Sequence, residues 1–316
     1  MKAIGGYPEL ELRDNGHYHV NAIFLNTARN CLEYILRARK YKKVYIPYYT
    51  CEVMLEPFYK LGVEYKFYEI DLNFEPINAP IIKSDEGFLY TNYFGLKKDC
   101  ITHLAQCYSN HLIIDNAQAF FDMPIEGIDT FYSARKFFGV PDGAYLYTEQ
   151  KLDIPIEQDY SYTRMAHLLK RIDLSPEDGY KDFQEVEESL VNSSIKKMSK
   201  LTAAILSNVD YNFIASKRRQ NFQVLNEKLH SLNELNLKMD DKAVPLAYPW
   251  LSTNSELRNE LISNRIFVPV YWRNISDWCS KDMLEYKLYQ NLLPLPVDQR
   301  IENNWYELLK FINNND

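Results

Sequence analysis

Apolar and polar residues alternate in short blocks through the first half of the chain. Residues 28–40 carry apolar side chains at the spacing of one helical face, and Thr27 just before them is a residue type that favours a helix N-cap. Six apolar runs have the length of strands, at residues 44–47, 63–70, 88–94, 112–115, 130–132 and 144–147. Strands joined by helical crossovers predict an α/β fold with a mostly parallel sheet.

The second half of the chain turns helical and then alternates again. Residues 184–232 predict a long helical stretch, and we place a domain boundary within it. The division gives a large domain, residues 1–205, and a small C-terminal α/β domain, residues 206–316. Within the small domain we predict strands and helices at residues 244–250, 256–263, 266–272, 292–297 and 305–312.

Composition narrows the classes of function. The formal net charge of -7 argues against a nucleic acid as the main partner, because such binders need clustered cationic charge. The five cysteines show no Cys-x-x-Cys or Cys/His metal spacing, so we predict no metal site and a reduced, cytoplasmic protein. No apolar run approaches the roughly eighteen residues of a membrane span, and we expect no membrane insertion.

Two residues at the ends of neighbouring predicted strands carry the candidate chemistry. Asp115 ends the apolar run 112–115, and Lys136 lies three residues after Ser133, where the next strand ends. A pyridoxal 5′-phosphate (PLP) site needs such a pair. The carboxylate keeps the pyridinium nitrogen protonated so that the ring can accept electrons, and the lysine binds the aldehyde covalently. We therefore predict that Lys136 and Asp115 are catalytic residues of a PLP enzyme.

Six short motifs follow one another along the chain: Asn26-Thr27-Ala28, Pro47-Tyr48-Tyr49-Thr50-Cys51, Asn92-Tyr93-Phe94-Gly95, Asp115-Asn116-Ala117-Gln118, Ser133-Ala134-Arg135-Lys136 and Asp142-Gly143-Ala144. Their order resembles that of the DegT/DnrJ/EryC1/StrS sugar aminotransferases. The resemblance covers residues 20–150 and, more loosely, 198–225, 269–272 and 295–298. It implies the fold-type-I architecture of the aspartate aminotransferase superfamily, with a large domain built on a mostly parallel sheet flanked by helices and a smaller C-terminal α/β domain.

The resemblance implies where the cofactor ring would lie. Asp115 matches the aspartate that pairs with the ring nitrogen, Gln118 matches the residue that touches the 3-oxygen of the ring, and Lys136 matches the lysine that binds the aldehyde. Cys51 stands where family members usually place an aromatic residue that stacks on the ring. A cysteine cannot stack in that way, although Tyr48 or Tyr49 could substitute for the missing aromatic ring.

The cofactor phosphate would lie at the start of the first helix. Thr27 and Ala28 match the family turn that holds the phosphate, and a helix N-terminus suits an anion through its unpaired N–H groups and its dipole. Ser133 matches a position that faces the phosphate or the lysine. Phe131 replaces a serine of the family, so one usual phosphate hydroxyl is missing, and the Asn-Tyr-Arg motif that many members supply across the dimer is not visible before Met198.

Each of the main site residues also has a purely structural interpretation. Thr27 could serve only as a helix cap. Asp115 could start a turn or cap a helix after its strand. Lys136 could be a solvated surface lysine. The apolar strand before Asp115 and the Phe137-Phe138 pair after Lys136 favour the functional interpretation, because a buried carboxylate needs a cationic partner.

Candidate substrate residues lie outside the predicted cofactor shell. Tyr93, Arg164 and Trp272 follow or belong to motifs that border the pocket in the resembled family, so we predict substrate contacts for them. The run Lys217-Arg218-Arg219 has two interpretations. It could clamp a nucleotide phosphate, or it could form the solvated face of a long helix.

The resemblance implies a cytoplasmic, homodimeric PLP-dependent aminotransferase. Its substrates would be glutamate as the amino donor and a nucleotide-linked keto sugar, for cell-surface polysaccharide biosynthesis. Two alternatives stay open. One is a PLP enzyme acting on a non-nucleotide substrate, and the other is a non-catalytic relative that binds or scaffolds. Lys136 counts against a sugar dehydratase of the family, because those enzymes carry histidine at this position.

Overall fold

A computed structural model describes residues 4–252, 254 and 256–301. The first half of the chain alternates strands and helices. In chain order these are β1 (Ile23–Leu25), α1 (Ala28–Arg39), β2 (Lys43–Pro47), α2 (Glu56–Leu61), β3 (Glu64–Tyr68), β4 (Glu86–Thr91), α3 (Lys98–Tyr108), β5 (Leu112–Asp115), β6 (Asp129–Ser133) and β7 (Ala144–Tyr147).

These seven strands form one sheet in the order β1-β7-β6-β5-β4-β2-β3. The pairs β2–β3, β2–β4, β4–β5 and β5–β6 are parallel, whereas β6–β7 and β1–β7 are antiparallel. The prediction of a mostly parallel sheet is confirmed, and the six predicted strands correspond to β2 through β7. β1 is an additional strand of three residues at the sheet edge.

Helix α1 forms where the apolar spacing predicts it. The Thr27 hydroxyl accepts a hydrogen bond from the backbone N–H of Asn30 at 3.2 Å, which satisfies one free donor of the first turn. The apolar face of α1 packs against one face of the sheet, in a cluster that includes Leu89, Ile113 and Phe131. The helix N-terminus is thereby fixed beside the carboxyl ends of the parallel strands.

The other face of the sheet is covered by the C-terminal part of the chain. Phe88 and Ile114 project to this face and share a buried cluster with Leu251 and Leu292. The sheet is therefore buried on both sides, as expected for mostly parallel strands.

The second half contains further helices and a second sheet. They are α4 (Ala166–Asp173), α5 (Tyr180–Ser189), α6 (Lys200–Ser207), α7 (Tyr211–Leu229), β8 (Ala247–Leu251), α8 (Leu257–Ser263), α9 (Ile275–Trp278), α10 (Leu284–Asn291) and β9 (Leu292–Pro296). β8 and β9 pair with each other as antiparallel strands, and the predicted strands at 244–250 and 292–297 and the helix at 256–263 are confirmed.

The predicted continuous helical stretch at 184–232 is wrong. The structure divides it into the end of α5, then α6 and α7, because two residues inside the stretch act as caps. Ser199 accepts a hydrogen bond from Thr202 N at 3.1 Å, and Asp210 accepts one from Phe213 N at 2.9 Å. Side chains of this type favour the start of a helix over its interior. The predicted boundary at 205/206 falls within α6, and the division into two domains stays a prediction.

The predicted strand at 266–272 is also wrong. This segment connects α8 to α9 without strand pairing, and the carbonyl of Pro269 accepts a hydrogen bond from Arg258 Nη1 at 2.7 Å. Pro269 has no N–H to donate to a sheet partner. The predicted helix at 305–312 lies outside the described residues. Among the helices that the structure describes, none is long and apolar enough to cross a membrane.

Candidate active site

Asp115 lies at the carboxyl end of β5, in the middle of the main sheet. Its side chain is buried and its Oδ1 accepts one hydrogen bond, from Ala117 N at 2.8 Å. Burial raises the pKa of Asp115 to about 6, against the lowering effects of the Ala117 N–H and the charge of Lys136. A carboxylate in this position is incompletely satisfied by the protein and would be stabilised as an anion by a cationic ligand.

Lys136 follows the neighbouring strand at the same edge of the sheet. β6 ends at Ser133, and a single 3₁₀ turn, Ala134–Lys136, turns the chain so that the lysine is exposed while Phe137 is buried. The positive charge of Lys136 lowers the pKa of Asp115, so the two side chains lie near each other. They form no ion pair or hydrogen bond with each other. The structure thus places the two predicted catalytic residues near each other at one edge of the sheet, without an ion pair between them.

Gln118 adds an unsatisfied donor near Asp115. Its Oε1 accepts a hydrogen bond from Phe94 N at 2.8 Å, which orients the amide. Its Nε2 is buried and has no hydrogen-bond partner among the described residues. A buried amide without a partner costs free energy of about 1–3 kcal/mol. A ligand oxygen at this point would remove that cost, as the 3-oxygen of a PLP ring would.

Cys51 lies close to Lys136. Burial raises the pKa of the Cys51 thiol, and the charge of Lys136 lowers it. Neither neighbouring tyrosine takes the predicted stacking role at this point. Tyr48 stacks on Phe67 with ring centroids 4.6 Å apart, and Tyr49 is fully buried. Within this motif, Cys51 is therefore the residue whose pKa the lysine charge affects.

The predicted phosphate residues meet where α1 begins. The backbone N–H of Gly143 donates to the carbonyl of Asn26, and the N–H of Ala134 donates to the carbonyl of Gly143. These two bonds tie the start of α1 to the turn that carries Lys136, with Thr27 and Ser133 both buried there. Ala28, in the first turn of α1, is partly exposed.

Gly143 is essential to this close approach. Its φ is 112°, and an added Cβ would lie 2.9 Å from Thr202 Cγ2. A side chain at this position would therefore displace its surroundings. The observed hydrogen bond from Asn30 N shows that Thr27 is a helix cap, and its phosphate role stays a prediction.

Tyr271 is a member of the site that the sequence did not single out. It lies in the segment between α8 and α9, and its ring centroid is 5.5 Å from Lys136 Nζ. Trp272, the predicted substrate residue next to it, packs against Tyr49 with ring centroids 5.1 Å apart. The signal that could have found Tyr271 is its place within the motif 269–272, one residue away from the predicted contact.

The other two predicted substrate residues have protein partners. The Tyr93 side chain is fully buried, and its hydroxyl donates to the carbonyl of Tyr49 at 2.8 Å, so this placement does not favour contact with a substrate. Arg164 donates from Nη2 to Asp159 Oδ2 at 2.7 Å and is partly buried. Substrate contacts for Tyr93, Arg164 and Trp272 stay predictions.

Arg218 fits neither interpretation of the basic run. It is buried, donates to the carbonyls of Pro245 and Leu246, and lies 4.5 Å from the ring centroid of Phe137. Burial lowers its pKa to about 10. Arg218 is therefore not part of a solvated face, whereas Lys217 and Arg219 on either side of it are partly exposed.

No protein-family model and no curated protein sequence matches the chain. Solved structures do match it. An aminotransferase of the DegT/DnrJ/EryC1/StrS family from Brucella abortus has 14% sequence identity and a TM-score of 0.63, over 93% of this chain and 85% of its own. The sugar aminotransferase CalS13 from Micromonospora echinospora has 12% identity and a TM-score of 0.62, over 93% and 87%.

A third solved structure is NtdA from Bacillus subtilis, which contains the cofactor PMP, the amino form of PLP. It has 15% identity and a TM-score of 0.63, over 93% of this chain and 72% of its own. At such low identity the likeness establishes the architecture. The predicted fold is confirmed: the chain has the PLP fold type I of the DegT/DnrJ/EryC1/StrS sugar aminotransferases, which are among its structural neighbours.

Proposed function

We propose that the protein is a PLP-dependent aminotransferase that acts on a sugar. The observation that carries the proposal is the buried, incompletely satisfied Asp115 near Lys136, which forms no ion pair with the described residues, at the carboxyl ends of two parallel strands. Ligands bind at this edge in α/β sheets. The sugar aminotransferase and the PMP-containing protein among the structural neighbours support the same function.

The residues present fit the cofactor. Asp115 would pair with the ring nitrogen and Gln118 Nε2 would donate to the ring oxygen, which would satisfy the two incompletely bonded side chains of the site. Cys51 would lie near the ring without stacking on it. When bound, PLP would supply an electron sink for the charge that develops on a substrate carbon.

The phosphate would be held at the start of α1. The first-turn N–H groups near Thr27 and Ala28 and the adjacent Ser133 hydroxyl offer donors, and the helix dipole favours an anion there. No acidic residue lies in the first turn of α1 to repel it. Phe131 faces the buried cluster beneath α1 and supplies no hydroxyl.

Lys136 has two tasks in this proposal. Its amine would hold the cofactor through the aldehyde and, when free, would accept and return the proton at the substrate Cα. Asp115 would support both tasks by holding a negative charge beside the ring nitrogen. Its raised pKa shows that burial disfavours the ionised carboxylate, and a protonated pyridine beside it would offset that effect.

We also propose specific substrates and an oligomeric state. We take glutamate as the amino donor and a nucleotide-linked keto sugar as the acceptor, in a cytoplasmic pathway of cell-surface polysaccharide synthesis. A homodimer is supported by apolar side chains exposed along residues 160–191, namely Tyr160, Tyr162, Leu169, Ile172, Leu174, Tyr180, Phe183 and Val191. Apolar patches of this kind are typical of protein interfaces.

The experiment is to add PLP to the purified protein, record the visible spectrum, and reduce with borohydride. We expect a visible band and a reduced adduct on Lys136, located by peptide mass spectrometry. Lys136→Ala should give neither, while Lys151→Ala, an exposed lysine after β7, should behave as the wild type. Equal spectra for wild type and Lys136→Ala, with no adduct, would contradict the site.

The same spectra distinguish the candidate functions. Glutamate should convert the bound cofactor to its amino form, and keto sugars linked to a nucleoside diphosphate should restore it much faster than free keto sugars, because the remote nucleotide supplies binding energy for orientation. Restoration without a nucleotide preference would indicate a non-nucleotide substrate. Cofactor that no amino donor converts would indicate a non-catalytic relative, which Cys51 and Phe131 favour.

A further inference from the structure

Tyr271 contacts the reactive lysine but belongs to none of the motifs that carry the proposed cofactor site. Its ring lies 5.5 Å from Lys136 Nζ, within the range of a cation–π interaction. The ring is held from two sides, by Trp272 with centroids 5.1 Å apart and by Phe94 at 6.0 Å. Phe94 also orients Gln118 through its N–H. Tyr271 and Gln118 therefore share one support, on the side of the site opposite α1.

The electrostatic surroundings keep the Tyr271 phenol neutral. Burial raises its pKa, and the positive charges of Lys136 and Arg218 only partly offset that effect. A neutral phenol has a hydroxyl that can donate a hydrogen bond. This hydroxyl has no hydrogen-bond partner among the described residues. The Tyr271 side chain is partly exposed, so this hydroxyl is accessible and free to donate to a ligand that binds beside Lys136.

We propose that Tyr271 is a catalytic residue of the aminotransferase, with its ring holding the Lys136 amine in place and its hydroxyl donating a hydrogen bond to the carbonyl oxygen of the acceptor. This inference rests on the proposed function. The alternative is that Tyr271 only fills space between the two buried clusters that it joins. A space-filling role requires neither a lysine over the ring nor a free hydroxyl.

The role of the ring can be tested without cofactor or substrate. Cofactor-free protein is labelled with an amine-acylating reagent, and the rate of modification of Lys136 is followed by peptide mass spectrometry, with Lys151 as the internal reference. Tyr271→Leu should label Lys136 about two- to fivefold faster than wild type, which is the factor expected for loss of an exposed cation–π contact. Tyr271→Phe keeps the ring and should match the wild type.

A matched control is Tyr286→Leu, which removes a tyrosine from α10 whose ring packs against Tyr289 at 5.8 Å. It should leave the labelling of Lys136 unchanged. Equal labelling of Lys136 in wild type and Tyr271→Leu overturns the role of the ring. Since this comparison uses cofactor-free protein, it stands even if the wild type binds no PLP, a result that would contradict the proposed function alone.

The role of the hydroxyl is tested with Tyr271→Phe, which preserves the packing even if the leucine variant does not fold. Loss of one hydrogen bond should lower the rate constant of the acceptor half-reaction about three- to tenfold. The dissociation constant of the cofactor and the rate constant of the glutamate half-reaction should stay at wild-type values. An acceptor half-reaction as fast as that of the wild type overturns the role of the hydroxyl.

Discussion

Buried carboxylates at the two ends of strands β5 and β6 differ in whether the protein supplies them with an ion-pair partner. At the amino end of β6, Asp129 is fully buried and receives two hydrogen bonds from Arg39, at 2.8 and 2.9 Å, in a forked ion pair. At the carboxyl end of β5, Asp115 is almost as buried but accepts a single backbone N–H and forms no ion pair within the described chain. The two residues lie on neighbouring strands of the same sheet.

We use the presence or absence of side-chain partners to distinguish carboxylates with a structural role from the one proposed to bind a ligand. A third buried carboxylate, Asp142, accepts bonds from Ser199 N, Ser199 Oγ and Thr202 Oγ1, so it too is satisfied within the chain. Folding alone can therefore provide partners for a buried acid in this protein. Asp115 lacks such partners, and this is what supports its proposed role as a ligand-binding acid.

The strongest test of the structural end is Arg39→Leu. Removing this guanidinium leaves Asp129 buried without its partner, so we expect the free energy of unfolding to fall by about 3–5 kcal/mol. Chemical denaturation followed by circular dichroism measures the change. Arg37→Leu is the matched control, since Arg37 is 44% exposed and the buried Glu33 keeps Lys60 as a second partner, so the loss should be less than about 1 kcal/mol. Equal effects of the two variants would contradict the structural role.

The functional end is tested with Asp115→Asn. A neutral amide cannot stabilise a protonated ring, so the rate constant of the glutamate half-reaction should fall about 100- to 1000-fold. Asp122→Asn is the control, because burial also raises the pKa of Asp122 to about 6 but its carboxylate bonds to Asn92. That variant should keep a wild-type rate constant. A similar loss in both variants would show that any buried acid in this region matters, and would remove the special role of Asp115.

The sequence predicted the part of the molecule that depends on local pattern. α1 with its Thr27 cap, β2 through β7, and the facing positions of Asp115 and Lys136 all follow from apolar spacing and from the rule that parallel strands end at one edge. β1 was missed because three residues give too short a pattern. Its pairing with β7 depends on the whole sheet.

What the sequence could not predict depends on tertiary contacts. The continuous apolar run 266–272 resembles a strand, but β8 and β9 pair with each other, and this segment instead places Tyr271 beside Lys136. Likewise, the charge run at 217–219 gave no sign that Arg218 is buried against backbone carbonyls. Gln118 was predicted as a ring contact, whereas its unpaired Nε2 became visible only once Phe94 was seen to occupy the amide oxygen.

The smallest predicted effect is on the free energy of unfolding of the cofactor-free protein, which the buried Asp115 lowers at neutral pH. Its pKa is about 6 when folded and 3.8 in the absence of burial, so folding takes up a proton between these values and stability falls as pH rises from about 4 to about 6. Asp115→Asn removes this loss. The variant should therefore be more stable than the wild type by roughly 1–3 kcal/mol above pH 6, with the difference vanishing near pH 4. Denaturant unfolding of both proteins across this pH range measures the difference.

The Arg39→Leu variant should instead be less stable than the wild type at neutral pH, because it removes the ion-pair partner of Asp129. If Asp115→Asn were destabilised at pH 7 as well, both ends of the strands would be structural, and the contrast between them would not mark the binding site.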